Sequence, residues 1–126
     1  MAYIYAQSNN FVMTVKEIKD LVTSEEARIV SGEERRRLKR ISDGRELDEM
    51  DLLDRVWALK YTSLRKRISD VNTREGIQQF LIDEIERDVK SISNLVYQPM
   101  TPHLDAHIRG SFGFIGVLTS LLKKII

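Results

Sequence analysis

The sequence predicts a mainly all-α domain: three long helices in an antiparallel bundle, preceded by short N-terminal helices and by an N-terminal β-hairpin or extended arm. Two observations carry this. Apolar residues recur at spacings of three and four through most of residues 45–126, and capping residue types stand where each recurring stretch begins. The size agrees: 126 residues, 42% hydrophobic and 31% charged, suit one globular core. We therefore expect a single domain over 1–126, divided into a hairpin or arm (1–15), short helices and a turn (16–44) and the bundle (45–126).

At the N-terminus, Tyr3-Ile4-Tyr5 and Phe11-Val12-Met13 flank Ser8-Asn9-Asn10, a loose alternation that reads as a hairpin or an extended arm. Thr14 and Glu17 then have capping-box spacing, each able to satisfy a free N–H at a helix start, and a first short helix fits 15–22. The same spacing recurs at Thr23/Glu26 and Ser31/Glu34, which predicts short helices or one broken helix. Ser42-Asp43-Gly44 is a turn by composition, because Asp and Ser bond the local backbone and Gly tolerates positive φ.

Leu47, Met50, Leu53, Trp57, Tyr61, Leu64, Ile68 and Val71 mark one long amphipathic helix over about 45–71. Asn72-Thr73 with Glu75 restarts a helix whose stripe is Ile77, Phe80, Leu81, Ile85, Val89, Ile92, Leu95 and Val96, ending before Tyr97-Gln98-Pro99. Thr101-Pro102 opens the third long helix, with Leu104, Ile108, Phe112, Ile115, Leu118, Leu122 and Ile125 as its apolar positions. Short connections make consecutive helices antiparallel neighbours.

Composition excludes several classes of function. Twenty Lys+Arg against nineteen Asp+Glu leave a formal +1, so any nucleic-acid role must rest on local charge. Cysteine is absent, which removes disulfides, thiol nucleophiles and cysteine-ligated metals. The first residues lack a charged and apolar leader, so an intracellular protein is expected. The uncharged run from Gly110 to Leu122 is shorter than the roughly 20 apolar residues a helical membrane span needs. Phosphate-cradling GxGxxG and GxxxxGK[ST] loops, the GxSxG nucleophile motif and HExxH are all missing.

Five features remain. Arg35, Arg36, Arg37, Lys39 and Arg40 place five cations in six residues, able to contact phosphates or simply to complement the C-terminal helix dipole. Gly32 just before them gives a partial helix-turn-helix pattern, with Leu38 and Ile41 available to pack such a helix on the core; Arg28 and Glu33 disagree with the pattern. A second cluster, Lys60 with Arg65-Lys66-Arg67, closes a helix that opens with Glu46, Asp48, Glu49, Asp51 and Asp54, the polarity a helix dipole selects. His103 and His107 share a helical face at i, i+4 and are weak candidates for a metal, since catalytic zinc usually takes three protein ligands and no third is nominated. Gly110, Gly113 and Gly116 suggest close helix approach in a buried helix or an oligomer-forming one.

The leading expectation is a small non-enzymatic helical interaction or oligomerisation protein, compatible with a viral origin and needing no cofactor. Its contact elements would be Tyr3, Tyr5, Phe11, Gly113 and Gly116. The alternative is nucleic-acid binding by Arg35–Arg37, Lys39 and Arg40, mostly to phosphates.

Overall fold

The computed structural model describes residues 12–45 and 49–126. Four helices form among them: α1 (Val15–Ser42), α2 (Glu49–Ile68), α3 (Arg74–Leu95) and α4 (Pro102–Ile125). The protein is mainly all-α. The expected hairpin or arm falls largely on residues 1–11, outside the described residues.

Three of the sequence's capping residues do what their spacing implies. The Thr14 hydroxyl accepts from Glu17 N (3.1 Å) while the Glu17 carboxylate accepts from Thr14 N (2.9 Å), a complete capping box. Thr73 accepts from Gly76 N and Thr101 from Leu104 N, with Pro102 in the first turn of α4. At the other end of α1, Gly44 adopts φ +71°, and the N–H groups of Gly44 and Arg45 bond back to the carbonyls of Ile41 and Arg40. That is the paired closure of a glycine-terminated helix, and it confirms the turn expected at Ser42-Asp43-Gly44.

The short helices expected over 16–44 are instead one continuous 28-residue helix, about 42 Å long at 1.5 Å per residue. Thr23 and Ser31 lie exposed within it. Nothing forces a break: no proline interrupts the segment, and Thr or Ser inside a helix costs only about 0.5 kcal/mol each. A cap spacing is thus a permission to start, used once here.

Residue pairs fix the topology. Along α1 and α2, Glu26 meets Arg65 and Arg36 meets Asp54, so the two run antiparallel. Lys60–Asp88 and Arg67–Glu84 set α2 against α3, and Arg74 Nη1 donates to the Ile125 carbonyl at the far end of α4 (2.6 Å). Consecutive helices are antiparallel, as expected, which leaves α2 and α4 parallel. These two pack together, with α1 leaning mainly on α2 and α3 on α4.

The core is concentrated at one pole. Ile18 and Val22 of α1, Leu64 and Ile68 of α2, Ile77 and Leu81 of α3, and Leu118 and Ile125 of α4 are all sealed from solvent. Hydrogen bonds close that pole: Met13 N donates to the Lys124 carbonyl (2.6 Å), and Lys19 Nζ donates to Ser69 O and Asn72 Oδ1. Phe114, not the expected Phe112, enters this core; Phe112 is 61% exposed. Trp57 stacks on Tyr61 at 5.9 Å, and Phe114 meets both rings edge-on.

Candidate functional site

The Arg-rich segment forms the outer half of α1, alongside the acidic start of α2. Arg36 grips Asp54 with two hydrogen bonds (2.8 and 3.0 Å), and Arg40 pairs with Asp51, with Asp54 at 3.9 Å. Arg37 pairs with Glu33 (3.2 Å) and Lys39 with Asp43 (3.3 Å), both within α1 and its cap. Among the described residues Arg35 alone of the five has no acidic partner. Further along the same seam Arg65 donates to Glu26 (2.8 Å), and this bond, with a smaller one from Thr62, holds the Glu26 carboxyl below the usual carboxylate range. Two cations of this segment, Arg36 and Arg40, therefore fasten α1 to α2, and Arg65 adds a third cross-helix pair.

The helix-turn-helix pattern does not form. Gly32 is buried inside continuous α1, where a Cβ would stand 3.0 Å from the Arg36 guanidinium; the glycine leaves room for that side chain to lie over the helix on its way to Asp54. Leu38 and Ile41, expected to face a core, are exposed.

The glycines of α4 divide. A Cβ at Gly110 would fall 2.5 Å from Val56 Cγ1, and one at Gly113 would fall 2.5 Å from Trp57 Cζ2, so both let α2 come close. Gly116 has nothing within 4 Å and lines, with Gly113, Leu21, Glu25 and Tyr61, a groove of about 490 Å³ between α1 and α4. Gly113 therefore already has a neighbour in its own chain. Tyr3, Tyr5 and Phe11 lie outside the described residues.

The two histidine rings do meet, their centroids 4.6 Å apart in the first turns of α4. Asp105 between them is held by Arg109 (3.1 Å), and among the described residues no cluster of three His, Asp or Glu could hold a metal. His107 lines a second groove, of about 250 Å³, with Lys60, Arg67, Glu84, Arg87 and Asp88. Glu84 and Asp88 are buried one turn apart on α3, each answered by a cation of α2: Arg67 bonds Glu84, with Arg87 at 3.6 Å, and Lys60 holds Asp88 at 3.4 Å. The Lys60 ammonium also stands 5.5 Å from the Phe114 ring centre. No buried polar side-chain atom among the described residues lacks a partner. The seam is a satisfied brace between α2 and α3, which explains how acidic residues occupy positions on the buried face.

Partial burial, then the neighbouring His103 and Lys60, push the His107 imidazole pKa below its ordinary value. Because the folded chain favours the neutral ring, the unfolded chain takes up the proton first as pH falls. Stability from this group is full above the ordinary histidine range, declines as pH drops through it, and levels once the folded ring is protonated as well. Melting temperature measured from about pH 7.5 to about pH 5.5 is expected to fall more in the native protein than in His107→Asn. Equal slopes for the two proteins would show that His107 carries no such linkage.

One surface feature escaped the sequence reading. The stripe assigned to the core of α3 splits in two: Ile77, Leu81 and Ile92 are buried, while Val89 and Val96 are 48% and 50% exposed and are joined by Ile82 at 38%. Beyond them, in the connection to α4, stands Tyr97, 89% exposed. The available signal was the seven-residue interval separating Ile82, Val89 and Val96. Comparison with protein-family models, curated proteins and solved structures finds no match to this chain. No helix among the described residues is long and apolar enough to cross a membrane.

Proposed function

We propose that this chain is a small non-enzymatic helical protein that acts by association, through a homo-oligomer or a protein partner docked on the bundle. One observation carries the reading: α3 leaves an aligned row of branched apolar side chains in solvent although α4 already covers its other face. Such a row costs free energy in water and is relieved by a second apolar surface.

Phosphate binding through Arg35–Arg40 has less support. Arg36 and Arg40 would have to leave Asp54 and Asp51 before neutralising a phosphate, and Arg37 and Lys39 have acidic neighbours of their own. Sedimentation velocity over a wide range of protein concentration is the test. A concentration-dependent rise to dimer mass or above is expected. A strict monomer that instead retards DNA or RNA in a gel, with affinity that collapses as salt rises and on Arg35→Glu, would replace association with the nucleic-acid reading.

A further inference from the structure

We infer that the surface of association is the exposed row on α3 and that its occupant is a second copy of this chain, packed antiparallel about a two-fold axis at Val89. This rests on the association reading and specifies it. Ile82, Val89 and Val96 stand seven residues apart, so they lie nearly along one line of the helix, about 10 Å between neighbours. The row is symmetric about its middle member. A two-fold axis there lays Ile82 on the partner's Val96, Val96 on the partner's Ile82, and Val89 on its own copy, the self-complementary arrangement a symmetric dimer requires.

Charge agrees with this symmetry. Glu86 and Lys90 lie on either side of Val89 in sequence, are both exposed, and neither makes an ion pair among the described residues. Elsewhere the cations and carboxylates beside a helix contact are largely paired across it, as Arg36, Arg40, Arg65, Arg67 and Lys60 show. In the antiparallel pair Glu86 comes opposite the partner's Lys90, and the symmetry makes that contact twice. A parallel pair would put the partner's Glu86 and Lys90 on the opposite flank of the contact, out of reach of the first copy's, so only the antiparallel arrangement lets these charges meet. Tyr97 and Met100, exposed just past Val96, extend the apolar row over the start of the partner's helix.

The absence of cysteine gives a clean test. Val89→Cys introduces the sole thiol, on the axis, within disulfide reach of its own copy. Mild oxidation is expected to convert it to a covalent dimer while Leu59→Cys, at a more solvent-accessible position on α2, stays monomeric. Val89→Glu is expected to abolish the dimer mass with the helical circular dichroism unchanged. Glu86→Lys is expected to weaken dimerisation by about tenfold, and Glu86→Lys with Lys90→Glu to recover it, because only reciprocal contacts survive an exchange of sign. A native dimer whose mass Val89→Glu leaves intact, or a Leu59 thiol that couples as fast as the Val89 one, overturns this surface and leaves association standing. A native monomer at every concentration overturns both.

Discussion

Arg67→Ala is expected to destabilise the fold by about 2–4 kcal/mol, and Arg67→Ala combined with Glu84→Leu to recover most of that loss. The Glu84 side chain is only 6% exposed, so deleting its main cation leaves a desolvated carboxylate. Arg87 at 3.6 Å offers partial compensation, since its own side chain is mostly in solvent. Arg67 also lies 5.9 Å from the Phe80 ring centre, a contact worth about 0.5–1 kcal/mol, so the recovery should be incomplete. Denaturant unfolding of the two single variants and the double variant closes the cycle. Additive effects of the two substitutions would mean that the pair is not coupled and does not brace α2 against α3.

Gly110→Ala is expected to lower stability by about 1–2 kcal/mol, the net of overpacking against a gain of about 1 kcal/mol in helix propensity. Its new methyl would lie on Val56 Cγ1, a stiff β-branched group that cannot swing aside, and the α2–α4 distance would have to grow. Gly116→Ala, in the same helix and the same motif, meets nothing and is expected to raise stability by up to about 1 kcal/mol. Thermal unfolding should therefore move in opposite directions for the two variants. Adding Val56→Ala to Gly110→Ala should relieve the clash; a Gly110→Ala protein as stable as the parent would show that the helices have slack there.

The helices were legible from local signals because their causes are local. Thr73 and Thr101 cap whatever follows, and an apolar residue at every third or fourth position needs only one helix to be read. Four things were not legible, each because it depends on a distant element. Nothing near Thr23 or Ser31 says that the helix already running from Thr14 will continue through them. Nothing near Glu84 and Asp88 says that Arg67 and Lys60, 17 and 28 residues away, face them. The apolar period of α3 gives an arc wider than α4 covers, so it cannot tell Ile92, which is buried, from Val89, which is not. Likewise nothing near Gly113 in sequence says that Trp57 of the same chain packs against it.

The closed pole gives the described chain the connectivity of a ring. Met13 is one backbone hydrogen bond from Lys124, and each helix hands on to the next through a few residues at alternating ends. Linking residue 13 to residue 124 there and opening the ring in the exposed turn at residues 97–100 would rearrange the order of the helices along the chain without changing which ones touch. The architecture belongs to the cycle of four helices, and the place where the chain is cut is a separate choice.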